Sequence, residues 1–289
     1  MTAAAGALTA PHRHWARLPF AGRPLAQAGA IGAFIVVAIA VFGPLAAPHN
    51  PSATSFSDVL APPLSPHHLL GTDQLGRDVL SRLLYGARTT LEAGVFATLL
   101  ATLLGLPIGV VSGYFRGALD VVIMRLIDVT LAFPFLLLAV GLAAISGPSL
   151  WNAVLALGVA QVPAVARIAR GETLSVRELE YVQAALVNGE RSIAIMRRHV
   201  VPNVLSPVIV ATTVAIPGSI VGAAILSFLG LGVQPPTADW GAMLAQSESY
   251  LNQSVWLGII PGLAIFIAAL SFNLLGDGVR DALDPKRRR

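Results

Sequence analysis

The few side chains that could carry out chemistry lack the spacing that most catalytic sites need. Histidines form the pairs His12/His14 and His67/His68, and no two of the six histidines have the His-x-x-x-His spacing of a helical metal site. Cysteine is absent, so disulfides and thiolate metal sites are excluded. Lys286 is the only lysine and lies in a basic tail, whereas a P-loop holds phosphates with Gly-Lys-Ser/Thr. The chain therefore cannot bind and hydrolyse ATP through a P-loop.

A first group of charged residues offers a candidate site with a plainer structural alternative. Asp73, Arg77 and Asp78 could form a polar site at the outer surface of the protein. Their position beside Gly71 and Gly76 also suits residues that cap and brace a turn. The sequence favours the bracing role.

Asp128 is the second candidate, because ionisable groups inside membranes are often functional. Arg125, three residues earlier, favours an ion pair between the two at the membrane surface. No Ser-His or Asp-Asp pair falls within the apolar stretches, which argues against an intramembrane protease. The centres of these stretches are mostly Ala, Val, Leu, Ile and Gly, whereas a secondary transporter that works alone needs ionisable or unwound sites there.

The composition is that of a membrane protein. Of the 289 residues, 55% are hydrophobic and 12% are charged, against about 25% charged in a soluble domain. We expect an all-α polytopic protein with six transmembrane helices, at residues 28–47, 93–114, 121–145, 150–166, 204–231 and 255–275. The first stretch exceeds the 7–15 apolar residues of a signal peptide, which favours a retained helix over a cleaved signal.

The remaining segments fall between these helices. We expect an N-terminal tail at 1–27, a first transmembrane helix at 28–47, a polar loop with a short amphipathic helix from Asp78 at 48–92, a five-helix core with a charged loop (167–199) at 93–277, and a basic tail at 278–289.

Positive charge predicts the orientation of these segments. Of the 19 Arg and Lys residues, 16 fall on one side of six crossings, and only Arg77, Arg82 and Arg88 fall on the other. The positive-inside rule makes the richer side cytoplasmic, so both termini and the charged loop are expected in the cytoplasm. The basic residues are spread between apolar spans, so the net charge of +4 does not indicate nucleic acid binding.

The charged loop is the most informative stretch. Residues 167–199 carry six Arg and four Glu between two apolar stretches, so they must lie in water. A short helix is predicted over Glu178–Val187, where Asn188-Gly189 can end it. A second short helix over 192–201 then leads to Pro202 and into the membrane.

The first of these short helices has an apolar stripe. Leu179, Val182 and Leu186 fall at i, i+3 and i+7, with the small Ala184 and Ala185 beside them. An exposed stripe with small residues suits a protein partner. It equally suits a helix lying on lipid headgroups, and the residues alone leave both interpretations open.

The loop sequence resembles a known motif. Residues 183–203, QAALVNGERSIAIMRRHVVPN, resemble the EAA loop of permease subunits of ATP-binding-cassette importers, which reads Glu-Ala-Ala, three residues, Gly, nine residues, Ile-x-Leu-Pro. Gln183 stands where that pattern has Glu, His199 where it has Ile, and Val201 where it has Leu. The matching positions are Ala184, Ala185, Gly189 and Pro202.

Three further stretches resemble one branch of that family, the second permease of dipeptide, oligopeptide and nickel importers. They are GTDQLGRDVLSRLLYGART at 71–89, SFLGLGVQPPTADWGAML at 227–244 and FNLLGDGVRDALDP at 272–285. With the loop they cover the chain from about residue 65 to 285.

The resemblance implies a type I importer permease in the bacterial cytoplasmic (inner) membrane. Such a subunit pairs with a homologous second permease, two ATPase subunits that bind ATP and Mg, and an extracytoplasmic substrate-binding protein. It implies no cofactor on this chain itself, and di- or oligopeptides as substrates, with nickel or another small solute as the alternative. The residues expected to couple to an ATPase are Glu178, Leu179, Val182, Gln183, Ala184, Ala185, Leu186, Gly189 and Pro202.

Overall fold

Helices account for most of the described chain. The computed structural model describes residues 24–283, and within them it has ten α-helices and no β-strand. They are α1 Pro24–Ala46, α2 Val79–Phe115, α3 Gly117–Leu131, α4 Phe135–Ser146, α5 Leu150–Arg177, α6 Glu180–Val187, α7 Ser192–Ile195, α8 Val201–Phe228, α9 Trp240–Ser247 and α10 Trp256–Leu283. The parts of the expected tails at 1–23 and 284–289 lie outside the described residues.

Up to six of these elements can cross a membrane. Five helical stretches are long and apolar enough, namely α1, α2, α5, the continuous run from α7 through α8, and α10. The bent pair of α3 and α4 provides a sixth if it counts as one span. The expected all-α polytopic fold is therefore confirmed.

The second span begins earlier than the sequence predicted. A short amphipathic helix from Asp78 and a separate span at 93–114 were expected, but α2 is one helix of 37 residues. The Asp78 carboxylate caps it by accepting a hydrogen bond of 2.8 Å from the Ser81 N–H. Gly86 lies inside this continuous helix and lets the Trp240 ring pack close to it, because a Cβ there would lie 2.9 Å from Cδ1.

The third span is broken, although one helix over 121–145 was predicted. Helices α3 and α4 meet at an angle of 88°. Pro134 lies at the break, where it lacks an N–H and disfavours a helical conformation of Phe133. The sequence contains this proline, but membrane helices also tolerate proline, so its effect was not predicted.

Close packing of α2 against α5 sets the position of the charged loop. Gly105, Gly109 and Gly113 lie four residues apart on one face of α2. A Cβ on Gly109 would lie 2.4 Å from the Ala166 carbonyl oxygen, and Cβ atoms on the other two would lie 2.8 Å from α5 atoms. Such small-residue faces let membrane helices approach backbone to backbone. Helix α5 continues past the predicted span at 150–166 to Arg177, so residues 167–177 of the charged loop are part of this helix.

Helix α9 packs into the protein at the opposite end of the bundle. Trp240 is 4% exposed and donates a hydrogen bond of 2.8 Å from its indole N–H to the Leu83 carbonyl. Asp239 caps α9 by accepting a hydrogen bond of 3.0 Å from the Ala242 N–H. This end of the bundle is thereby held together by α2, α8, α9 and α10.

Candidate functional site

Helix α6 forms the centre of the charged loop and ends in a glycine turn. Its predicted start at Glu178 lies two residues early, because Leu179 takes an extended conformation and becomes the N-cap. Gly189 has φ +73°, as its sequence position predicted. The Glu190 N–H bonds to the Ala185 carbonyl and the Gly189 N–H to the Leu186 carbonyl, both at 3.1 Å. This is the Schellman pattern, which satisfies the last carbonyls of α6.

The predicted apolar stripe is not one exposed surface. Val182 is 0% exposed and packs in a core cluster with Val110, Val176, Ile195 and other residues of the bundle. Leu186 and Ala185 also pack against that cluster. The stripe therefore anchors α6 to its own chain, because α6 packs against the end of α5 and against α7.

The exposed side of α6 carries a different set of residues. Tyr181, Ala184 and Val187 are all exposed, and they fall at i, i+3 and i+6. Val187 is 86% exposed and Tyr181 46%. Leu179 is the one stripe residue that remains exposed, at 43%. We call Leu179, Tyr181, Ala184 and Val187 the α6 outer face. Of these, the sequence did not single out Tyr181 and Val187, although the i, i+3 spacing of Tyr181 from Ala184 could have indicated them.

Gln183 ties α6 to the end of α5. Its side-chain N–H donates a hydrogen bond of 2.8 Å to the Arg177 carbonyl oxygen. A carboxylate only accepts hydrogen bonds, so the Glu of the EAA pattern could not form this contact when ionised. The departure from the pattern therefore has a local structural role. Glu178 forms an ion pair with Arg116, which joins the loop to the turn between α2 and α3.

The loop returns to the membrane through an irregular helical turn. A short helix over 192–201 was expected, but α7 passes through a π-helical turn at Met196–Val200 directly into α8. The Val201 N–H bonds to the Met196 carbonyl, five residues back. Pro202 follows at the start of α8, and its missing N–H explains why regular α-helical bonding is interrupted there.

Glu190 links the glycine turn to this π-helical turn. Its carboxylate lies 3.3 Å from a guanidinium nitrogen of Arg198 and 3.4 Å from Nε2 of His199. The centroids of the Tyr181 and His199 rings lie 6.0 Å apart. The α6 outer face and the start of α8 therefore belong to one connected structure.

Ion pairs also stabilise the C-terminal half of α5. Arg170 binds both oxygens of Asp120 on α3, at 2.5 and 2.6 Å, and Ser112 of α2 donates to the same carboxylate at 2.5 Å. Asp128 pairs with Arg167 of α5, so the predicted pair with Arg125 is wrong. The partner comes from another helix because α3 packs beside α5.

The Asp73 group at the other end of the bundle has the bracing role that the sequence favoured. Gly71 and Gly76 have φ of +76° and +68°. The Asp73 carboxylate accepts hydrogen bonds from the Arg77 N–H at 3.0 Å and from its guanidinium at 2.7 Å. Arg77 then donates to Gln246 of α9 at 3.0 Å. This group closes a turn and joins it to α9.

Polar contacts also cross the middle of the bundle, where the sequence indicated apolar residues. Ser219 of α8 lies 2.6 Å from the Thr98 hydroxyl of α2 and donates a hydrogen bond of 3.1 Å to Gln161 of α5. Thr102 and Thr212 make a second α2–α8 contact at 2.9 Å. These groups satisfy one another, so they stabilise the helix packing.

Asp239 is the most deeply buried acid near α9. Burial raises the pKa of its carboxyl, against hydrogen bonds from the Ala242 N–H, Thr90 and Ser227 that favour the charged form. It is 2% exposed. Its cap on α9 gives it a structural role.

Two family models match the chain. Residues 105–289 match the binding-protein-dependent transport system inner membrane component, and residues 14–63 match the N-terminal transmembrane domain of oligopeptide transport permease C. The first match covers the core from residue 105 onward, including the charged loop. The chain belongs to this family of importer permeases.

Curated relatives agree over almost the whole chain. The dipeptide transport system permease DppC of Alkalihalophilus pseudofirmus is 41% identical over 91% of this chain and 86% of the relative. The probable D,D-dipeptide permease DdpC of Escherichia coli is 41% identical, over 92% and 89%. The glutathione permease GsiD of Pectobacterium atrosepticum is 42% identical, over 94% and 90%.

Solved structures share the fold at lower identity. The inward-facing MetNI methionine ATP-binding-cassette transporter matches with a TM-score of 0.57 and 19% identity, over 70% of this chain and 96% of that chain. An amino acid ATP-binding-cassette transporter matches with a TM-score of 0.52 and 21% identity, over 68% and 91%. The type I importer permease fold is thereby confirmed.

Family membership settles the general role of the chain. It is a multi-pass inner membrane permease of an ATP-binding-cassette importer, a channel subunit without catalytic activity. ATP hydrolysis belongs to separate subunits, and the importer works with a further permease and a binding protein. The assignment of the nine coupling residues stays a prediction.

Proposed function

We propose that the chain forms one half of the translocation channel of a di- or oligopeptide importer. The observation that carries this proposal is 41% identity with dipeptide permeases over about nine tenths of both chains. In the proposed complex the chain pairs with one homologous permease and two ATPase subunits. A binding protein on the outer side delivers the peptide.

The α6 outer face is the proposed contact with an ATPase subunit. Its apolar and small residues are exposed, whereas Val182 and Leu186 fix the same helix to the bundle. A force on α6 therefore reaches α5 through Gln183 and α8 through the Glu190 contacts. Closure of the ATPases would move these helices together and shift the channel between inward-open and outward-open states.

The proposal implies an orientation of the chain in the membrane and places ATP and Mg on the partner subunits. Loop 167–199 and both termini lie in the cytoplasm, where the ATPases bind ATP and Mg. The short α9 and the Asp73 turn lie on the outer side, facing the binding protein. The cation distribution of the sequence supports this orientation. The proposed transport cycle requires no cofactor on this chain itself.

Transport by reconstituted complexes tests the proposal. The chain, its sister permease, the ATPases and the binding protein are placed in proteoliposomes, and uptake of a radiolabelled dipeptide is compared with uptake of radioactive nickel. We expect dipeptide uptake that requires both ATP and the binding protein, and no uptake when the P-loop lysine of the ATPases is replaced.

Two other outcomes would replace the proposal. Nickel uptake without dipeptide uptake would assign the same channel to a small solute. Dipeptide uptake by this chain alone, driven by an ion gradient without ATP, would instead indicate a secondary transporter.

A further inference from the structure

Two histidines and an aspartate meet at the end of the bundle opposite the charged loop. Nδ1 of His68 lies 2.9 Å from Oδ1 of Asp78, and Nδ1 of His49 lies 3.8 Å from Oδ2 of the same carboxylate. One ligand atom from each residue lies within 4.8 Å of the others. We propose that His49, His68 and Asp78 bind a divalent transition metal ion of the Zn²⁺ class.

The ligand types and distances fit such an ion. Imidazole nitrogen and carboxylate oxygen bind Zn²⁺ at about 2.0–2.2 Å, so two ligands of one ion lie no more than about 4.2 Å apart. The nearest carboxylate oxygen of Asp78 lies within this limit of each histidine, Oδ1 for His68 and Oδ2 for His49. The Asp78 carboxylate supplies a negative charge to the site, which favours a cation. Three protein ligands leave a fourth position of a tetrahedral ion for water.

The surrounding structure holds the carboxylate in place. Ser81 donates to Oδ2 of Asp78 twice, from its N–H at 2.8 Å and from its hydroxyl at 2.7 Å. The same hydroxyl accepts a hydrogen bond of 3.0 Å from the His49 N–H. Metal ligands are commonly oriented by hydrogen bonds of this kind. Ser81 therefore fixes both the carboxylate and the backbone of one histidine.

The site is open to solvent on one side. The Asp78 side chain is 1% exposed and that of His68 13%, whereas that of His49 is 39% exposed. His49 also lines a cavity of about 830 Å³, together with Arg88, Glu92 and the turn at 236–238. An ion can therefore enter from water past His49. The exposed His49 side chain has room to move closer, which would bring all three ligand atoms within bonding distance of one ion.

A bound ion would join three separate segments. His49 lies three residues after the end of α1, His68 lies in the turn region at 65–71, and Asp78 caps α2. Coordination would fix the end of α1 to the start of α2 without any change inside the membrane. This metal site does not depend on the proposed peptide substrate.

Zinc titration of the full chain tests the site. The chain is purified within its complex, in nanodiscs, with a tag that lacks histidine. His12 and His14 are replaced by Asn in every sample, because that pair could bind metal on its own. Zn²⁺ alone is titrated by calorimetry into this background protein and into His49→Asn, His68→Asn and Asp78→Asn variants. Asn at position 78 keeps the helix cap, so this variant is expected to fold.

His67→Asn is the matched control. His67 is adjacent to His68 and exposed, lies outside the cluster, and has φ +68°, a conformation that Asn tolerates. We expect one Zn²⁺ per chain, binding weakened about tenfold or more by each of the three ligand variants, and a change of less than about twofold in His67→Asn. We also expect Zn²⁺ to raise the thermal unfolding midpoint in the background protein and in His67→Asn only.

Two results would overturn the inference. One is the absence of saturable Zn²⁺ binding below about 1 mM. The other is binding that His49→Asn and His68→Asn leave unchanged, or that His67→Asn weakens as much as they do. In either case the cluster would be a hydrogen-bonded brace of the turn.

Discussion

The side chain of Gln183 donates a hydrogen bond of 2.8 Å to the carbonyl oxygen of Arg177. This contact joins helix α6 to the last residue of α5, six positions earlier in the chain. It satisfies a carbonyl at the end of a helix, where no intrahelical donor is available. The angle between α5 and α6 therefore depends on a residue that differs from the EAA pattern.

Replacing Gln183 should loosen this junction. Gln183→Ala and Gln183→Glu are both expected to lower stability by about 1 kcal/mol, because neither side chain donates to the Arg177 carbonyl at neutral pH. Thermal unfolding of the purified complex measures the effect. Equal midpoints for wild type and Gln183→Glu would show that the hydrogen bond does not hold the junction.

Gly189 sets the end of α6 through its backbone conformation. Apart from its chain neighbours, no atom of the described residues lies within 4 Å of a Cβ added there, so the strain of a substitution comes from the φ of +73°. Gly189→Val should cost about 1–2 kcal/mol locally and reduce ATPase stimulation by the binding protein, while Gly189→Asn should stay close to wild type. ATPase assays of reconstituted complexes distinguish the two. Normal stimulation in the Val variant would contradict a role for this turn.

Mutations of the α6 outer face should leave the stability of the free permease unchanged but weaken its binding to the ATPase. Tyr181→Asp and Val187→Asp are expected to weaken ATPase binding by about 2 kcal/mol each, roughly thirtyfold, because each places a charge in an apolar contact. Co-purification of ATPase subunits measures the loss. Ser175→Asp, an exposed position at the end of α5, is the control. Val182→Asp should instead destabilise the permease itself.

The glycine face of α2 should resist any added side chain. Gly109→Ala places a Cβ 2.4 Å from the Ala166 carbonyl, so α2 and α5 must separate and stability should fall by about 1–3 kcal/mol. Gly141→Ala on α4 is the control. Within the described residues, nothing beyond its chain neighbours and the backbone of its own helix lies within 4 Å of the added Cβ, and alanine favours helix by up to about 1 kcal/mol. If Gly109→Ala and Gly141→Ala changed the thermal unfolding midpoint by the same amount relative to wild type, close packing at Gly109 would be refuted.

Asp239 should make stability depend on pH. Because burial raises the pKa of its folded-state carboxyl above the ordinary 3.8, its contribution is greatest below that value and is lost as pH rises through the folded pKa. Relative to Asp239→Asn, which keeps the cap on α9, wild type should gain stability as pH is lowered from neutral towards 3.8. A pH-independent difference between the two unfolding midpoints would contradict the raised pKa.

The membrane spans and the loop motif could be predicted from the sequence. Long uncharged apolar runs seldom form anything but membrane helices, and the spacing of Gly189 and Pro202 is specific to the motif. Prediction failed where two elements share one helix, because nothing in the local pattern showed that the amphipathic start at Asp78 would join the span at 93–114. It also failed at Pro134, since a proline in a membrane helix bends the chain in some contexts and not in others.

In the candidate site, too, some features could be predicted from the sequence and others could not. Gly189 was correctly predicted to take a left-handed conformation, because few residues do so readily. Val182 was expected on an exposed stripe, yet it is buried, since periodicity identifies an apolar face but not what covers it. The ion pair of Asp128 with Arg167 depends on the packing of α3 beside α5, which local spacing does not contain.

Cross-linking from the α6 outer face tests the central claim most directly. The chain has no cysteine, so Ala184→Cys provides a single attachment point for a photoreactive maleimide, and Val182→Cys provides a buried control on the same helix. The complex is assembled, illuminated, and analysed by mass spectrometry. We predict adducts between position 184 and an ATPase subunit, and none from position 182. A transport-active complex in which position 184 cross-links only to lipid would contradict the assignment of α6 as the coupling helix.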